Sequence, residues 1–187
     1  MPQFKITPQQ QDFVDSIIEK YQRKTDKNTG QFFAYTNGLS PEDIELVQDA
    51  FSEHLKNEQI HQAMVLVAIT PWPIHTDYQK GDDKPGKAVL VPYQTQETNT
   101  IVFNELNLGD PILDMPDIDN SVSEEFHHKY LTHCSPEAYK KVSLKEIFKW
   151  QRGHAVTWDR KNLHASDNYL KNSVEKKIAL VFFTKYV

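Results

Sequence analysis

Pro71-Trp72-Pro73-Ile74-His75-Thr76-Asp77-Tyr78 is the stretch on which the reading of this chain turns. In an extended segment residues i and i+2 project to the same face, so His75 and Asp77 stand side by side. An imidazole beside a carboxylate chelates a first-row divalent metal, and such a pair needs a third ligand. Leu163-His164-Ala165-Ser166 offers one, just past the β-like run Gly153-His154-Ala155-Val156-Thr157-Trp158. A His-x-Asp pair by itself is short and recurs by chance. Its weight here comes from the β-like runs that surround it and from the position of His164 near the C-terminal end.

Working outward from the pair, runs rich in Val, Ile, Phe and Thr cover Met64–Thr70, Lys87–Thr95, Thr98–Leu106, Gly153–Trp158 and Lys176–Tyr186, with Pro, Gly, Asn and Asp between them. The last run alternates: Lys177, Ala179, Val181 and Phe183 share one face, and Lys176, Ile178, Leu180 and Phe182 the other. Two helices precede the strands. Phe13, Val14, Ile17, Ile18 and Tyr21 form one apolar stripe over Gln9–Arg23, which the polar, turn-rich Lys24–Gly30 ends. Ser40-Pro41-Glu42-Asp43 reads as a second helix start. Ser40 accepts from orphan amides, Pro41 loses nothing at the first helical position, and the acids suit the positive helix end. Ile44, Val47, Ala50, Phe51 and Leu55 supply its buried face.

Asn107–Ser123 reads as a Pro- and Asp-rich loop, followed by short helices over residues 123–133 and 135–150. The expectation is one domain over residues 1–187, mainly β with supporting α-helices. Residues 1–58 are the helical support and 60–187 a β-sandwich or jelly roll. An insert at 107–150 would cover or flank the pocket, since long insertions between strands commonly serve as lids or binding loops.

Composition narrows the function classes. A chain of 187 residues buries a core without disulfides or a structural metal. The longest apolar run, Ala63–Ile69, has seven residues against the ~20 that span a bilayer. MPQFKITPQQQDF has no apolar secretory core, so no signal peptide is expected. There are 21 Lys and Arg against 26 Asp and Glu, a formal charge of −5 with no basic run, which argues against binding a nucleic-acid backbone. Cys134 is the only cysteine, so internal disulfides and Cys-rich zinc sites are excluded and a reducing cytoplasm is the expected compartment.

Two histidines and one carboxylate on one face of a metal leave its other positions open, the pattern of non-haem Fe(II) oxygenases. The chain resembles the 2-oxoglutarate- and Fe(II)-dependent dioxygenase superfamily over residues 60–187. The matching elements are His75-x-Asp77, the Gly-x-Ala-Val-x-Trp strand at Gly153–Trp158, His164-Ala165-Ser166, and a lysine 12 or 13 positions after His164. The His-x-Ser and the following Asn168 look most like the phytanoyl-CoA-hydroxylase and prolyl-hydroxylase-like branches. HTDY, NTIVFNE and WDRKNLHASDN also resemble small oxygenase-like proteins of bacteria and phages.

That resemblance implies a double-stranded β-helix, a cupin-like jelly roll. In it His75, Asp77 and His164 hold Fe(II), 2-oxoglutarate chelates through its 1-carboxylate and 2-keto oxygens, and O2 takes the last position. A small molecule or protein side chain would be oxidised as succinate and CO2 are released. The distal carboxylate needs a cation, because an unpaired charge away from water is costly. Lys177 is the choice, beside the small Ala179; Lys176 is the fallback, since one residue of register flips every side chain. A lysine is a point charge and needs a second donor, which Ser166 would supply by the His-x-Ser pattern. Tyr93 and Thr100 would touch the cosubstrate from neighbouring strands. Related halogenases leave the carboxylate position empty for chloride; with Asp77 present, hydroxylation or desaturation is implied instead.

The remaining motifs take plainer readings. His127, His128 and His133 suggest a metal cluster, but the first two fall on different faces of a helix and fit a polar helix surface better. His54 and His61 carry no role, His154 is a candidate channel residue, and Trp158 reads as core. Gly86-Lys87 lacks phosphate-loop spacing, and Cys134 has no activating motif. Two other functions stay open at this point. One is a cupin-type metal-binding sandwich with different chemistry. The other is a non-enzymatic jelly roll in which these His and Asp residues are incidental.

Overall fold

In a computed structural model that describes residues 3–22 and 34–187, the chain forms two facing antiparallel sheets. The strands are β1 (Gln3–Lys5), β2 (Ala34–Gly38), β3 (Glu58–Ala68), β4 (Pro85–Pro92), β5 (Asn99–Leu106), β6 (Leu144–Lys149), β7 (His154–Asp159), β8 (Asn162–Ser166) and β9 (Lys177–Tyr186). Six of them make the larger sheet in the order β1-β7-β4-β9-β3-β2, and three make the smaller in the order β6-β5-β8. A reciprocal backbone pair, His75 N–H to the His164 carbonyl at 2.9 Å and His164 N–H to the His75 carbonyl at 2.8 Å, adds the His75 segment to the free side of β8. This is the jelly roll expected from the sequence.

Alternation in β9 separates two layers. Ile178, Leu180 and Phe182 join the core beneath α1 (Pro8–Gln22) and α2 (Pro41–Ala50). Ala179, Val181 and Phe183 face the other way, into the space between the sheets, with Leu90, Val102, Phe148, Trp150, Val156 and Trp158. A third cluster lies outside the smaller sheet, where Ile101, Phe103, Leu163 and Ala165 meet Val122, Leu131, Cys134 and Val142 of the insert. Each fully buried Leu or Phe contributes ~1.5–3 kcal/mol.

The helix starts follow local chemistry. Ser40 caps α2 by accepting the Asp43 N–H, with Pro41 at the first position. Asp43 is buried and takes hydrogen bonds from Lys20 and Tyr21, which hold its carboxyl below the usual range and tie α2 to α1. Thr7 and Gln10 bond reciprocally and start α1 at Pro8. The expected end of that helix at Arg23 and the Lys24–Gly30 turn lie outside the described residues.

Two expectations are corrected. A helix over 135–150 is not formed: α5 spans Pro136–Tyr139 and residues 144–149 are the strand β6. Phe148 and Trp150 both enter the inner core. Residues two apart share a face only in an extended chain. A helix over 123–133 is shorter than expected, α4 covering Glu124–Tyr130 with Ser123 as its cap. His164 lies past β7, as expected, and is itself part of a further strand, β8. The insert flanks the smaller sheet from outside, and its last residues become part of that sheet.

Candidate metal centre and its cleft

His75 and Asp77 come from the segment that borders β8, and His164 is the central residue of β8 itself. Backbone pairing therefore sets the two imidazoles next to each other, with ring centroids 4.2 Å apart. Asp77 Oδ1 is 3.9 Å from His75 Nε2, and its Oδ2 is 3.3 Å from His164 Nε2. Among the described residues this is the one group of three such side chains whose ligand atoms all lie within 4.8 Å of one another. One ion with bonds of ~2.0–2.2 Å reaches all three after small side-chain rotations.

The second nitrogens of both rings are already committed. His75 Nδ1 is 2.8 Å from the Pro73 carbonyl, and His164 Nδ1 is 3.1 Å from the Asn162 carbonyl. A carbonyl only accepts, so each Nδ1 carries the proton and each Nε2 presents a lone pair towards Asp77. Burial and the neighbouring His164 press the His75 imidazolium down to about 4, so the ring is neutral at physiological pH. Two imidazoles beside a carboxylate are a donor set for a divalent transition metal.

The three residues line a cleft of ≈ 650 Å³, its open mouth included, between the two sheets. Lys177 lines the same cleft and is only 2% exposed. Its Nζ donates to the Asn99 carbonyl at 3.2 Å and sits 4.1 Å from the Trp150 ring centroid and 5.2 Å from that of Tyr169. Asp167 is close enough to be felt but is occupied by Thr98 Oγ1, the Asn99 N–H and Asn99 Nδ2. Lys177 has no ion pair among the described residues, and burial lowers its pKa to about 7.

Ser166 and Thr100 also line the cleft, paired across β8 and β5. Ser166 Oγ accepts the Trp72 N–H at 3.1 Å, and Thr100 Oγ1 accepts Trp150 Nε1 at 2.9 Å. Each hydroxyl accepts here, which leaves its own proton to donate. Tyr93 is not brought to the site. It packs with the helix-side core, and its hydroxyl faces Glu19 at 3.5 Å. The pleat sends Leu90 inward, and Val91 and Tyr93 to the opposite layer. Lys176 is exposed, so the register puts Lys177 alone of the pair inside.

His128 is exposed beside Glu124, whereas His127 is buried against the Cys134 carbonyl and His133 Nε2 bonds the Trp72 carbonyl at 2.9 Å. His154 pairs with Lys5 at the edge of the larger sheet and does not line the cleft. His54 stacks on Phe4. Cys134 is buried, its thiol pushed up to about 11, which agrees with the absence of an activating motif.

Arg160 has no counterpart in the sequence reading. It is 2% exposed, and its guanidinium donates to the Asp77 carbonyl at 3.0 Å and to Asp82 Oδ2 at 2.7 Å. Its backbone carbonyl accepts Thr76 Oγ1 at 2.8 Å, so the β7–β8 turn grips the chain on both sides of the peptide that carries Asp77. His61 Nε2 lies 3.4 Å from the guanidinium, and burial together with Arg160 keeps that imidazole neutral. Arg160→Met is expected to weaken Mn(II) affinity ~10–100-fold, the range for groups that orient ligands. Calorimetric titration of Mn(II) checks this, and unchanged affinity in a folded variant would remove Arg160 from the site.

No family model and no curated protein matches the sequence. Solved structures do match in fold. HygX from Streptomyces hygroscopicus, with nickel and 2-oxoglutarate bound, superposes at a TM-score of 0.60 with 11% identity, over 99% of this chain and 82% of that one. The non-haem α-ketoglutarate-dependent carbocyclase SnoK from nogalamycin biosynthesis gives 0.59 with 9% identity, over 99% and 80%. A Pseudomonas putida prolyl-4-hydroxylase gives 0.50 with 10% identity, over 99% and 91%. The chain therefore has the double-stranded β-helix fold of 2-oxoglutarate/Fe(II) oxygenases.

Proposed function

We propose that this chain is a non-haem Fe(II)- and 2-oxoglutarate-dependent oxygenase that hydroxylates an organic substrate. In the balanced reaction, substrate C–H, O2 and 2-oxoglutarate give the alcohol, succinate and CO2. The observation that carries this reading is Lys177: a buried lysine without an ion pair among the described residues, in the same cleft as a two-histidine, one-aspartate group. A metal-binding sandwich with other chemistry has no need of such a cation, and an inert jelly roll would leave its cost unopposed.

The bound Fe(II) and 2-oxoglutarate supply the oxidising chemistry, and the protein supplies position, charge and dryness. His75, Asp77 and His164 would hold the metal. Lys177 would pair the distal carboxylate, with Ser166 and Thr100 as hydroxyl donors nearby. Trp150 and Tyr169 wall that end off from water. The single thiol, buried at Cys134, suits a reducing cytoplasm. No helix among the described residues is long and apolar enough to cross a membrane.

Anaerobic addition of 2-oxoglutarate to Fe(II)-loaded protein is expected to produce a visible metal-to-ligand charge-transfer band. Admission of O2 is then expected to yield succinate. Tight metal binding with no band would favour the cupin-type reading, and absence of metal binding would favour the non-enzymatic one.

A further inference from the structure

Resting on the oxygenase reading, we propose that the substrate is an uncharged small molecule with an apolar body. An oxygen acceptor on it is held by the indole N–H groups of Trp72 and Trp158. Both indole nitrogens are buried and have no acceptor among the described residues. Both residues line the cleft, and each ring packs on a ligand histidine: Trp72 4.9 Å from His75, Trp158 4.8 Å from His164, between centroids. A buried N–H without a partner is costly, so an unsatisfied donor on the ring beside each of the two histidines calls for an acceptor from the ligand.

The rest of the cleft defines the body. Its ionisable lining groups are the three metal-binding side chains and Lys177. The two positive charges of the metal and the one of Lys177 are balanced by Asp77 and the two carboxylates of 2-oxoglutarate. No charge remains to pair an ionic substrate, and an unpaired ion in so enclosed a space is strongly disfavoured. Met64, Leu66, Leu90, Val181 and Phe183 make the other walls. These are inward positions of three neighbouring strands of the larger sheet, β4, β9 and β3, which look across the cleft to the smaller sheet. The occupant therefore lies between the sheets rather than along an open surface groove, which favours a small molecule over a polymer.

Four compounds on one phenylalkyl frame test this: 4-phenylbutan-2-one, butylbenzene, 4-phenylbutanoate and 4-phenylbutylammonium. Each is titrated calorimetrically into protein loaded with Mn(II) and saturating 2-oxoglutarate. The ketone is expected to bind at least tenfold more tightly than either ion. Trp158→Phe and Trp72→Phe should each weaken the ketone about three- to tenfold, the range for one hydrogen bond, and leave butylbenzene unchanged. Retained 2-oxoglutarate affinity shows that each variant is folded, and either variant alone decides the point. An ion that binds as tightly as the ketone, ketone affinity unmoved in either folded variant, or no ketone binding overturns the proposal. Failure of 2-oxoglutarate itself to bind the Mn(II)-loaded protein overturns the underlying oxygenase reading, so the two failures are separable.

Discussion

Asp77→Ala, His75→Ala and His164→Ala are each expected to abolish tight Mn(II) or Fe(II) binding and, with it, succinate formation. A change in a group that merely orients a ligand costs ~10–100-fold in affinity, and loss of one of three ligands costs more. Stability separates this from unfolding. A metal present at a hundredfold excess over its dissociation constant stabilises the native state by about 2.7 kcal/mol, so the melting temperature of the wild type should rise when Mn(II) is added. The three variants should melt near the metal-free wild type and show no such rise. The imidazole pair is placed by reciprocal backbone bonds between His75 and His164, which no side-chain truncation removes. Normal turnover by any of the three would mean that the ligands lie elsewhere.

The candidate ligand group was legible in the sequence because His75 and Asp77 occupy one face of an extended segment, and because His164 lies between an alternating strand and a lysine-headed one. The β9 alternation similarly told inside from outside, and Lys177 proved to be the inward residue. What escaped was structure created by pairing. β8, Asn-Leu-His-Ala-Ser, contains no β-branched residue and is a strand because β5 pairs with it. β6 carries Lys and Glu on a helix-compatible pattern, and only the joint burial of Phe148 and Trp150 shows its period of two. Tyr93 was misplaced by one step of the pleat. Arg160 gave no local signal, since the Asp77 carbonyl it holds is 83 residues distant in sequence. Trp158 reads as core and Trp72 carries no reading of its own, and their unpaired N–H groups are visible only once the neighbours are known.

Lys177→Met is expected to weaken 2-oxoglutarate binding to the Mn(II)-loaded protein by ~2–5 kcal/mol, about 30- to several-thousand-fold, the cost of removing one partner from a buried charge pair. Lys176→Met, on the exposed neighbour, should leave it unchanged. The pH dependence follows from the surroundings of the ammonium. Burial lowers its pKa from the ordinary 10.5 to about 7, and Asp167 opposes the shift. Trp150 and Tyr169 face it with their rings, the Asn99 carbonyl takes its one hydrogen bond, and His133 is a further ionisable neighbour. Between the two values the unfolded lysine still holds a proton that the native one has released. Stability without ligand therefore rises with pH across that window and is lowest, for this group, below about 7. Binding runs the other way. The dianion needs the ammonium, so above about 7 each binding event takes up a proton and affinity falls by up to about tenfold per pH unit. Calorimetry in buffers of different ionisation enthalpy counts that proton. Uptake above neutrality that disappears in Lys177→Met is the expected result; the same pH slope in both proteins would show that another group holds the distal carboxylate.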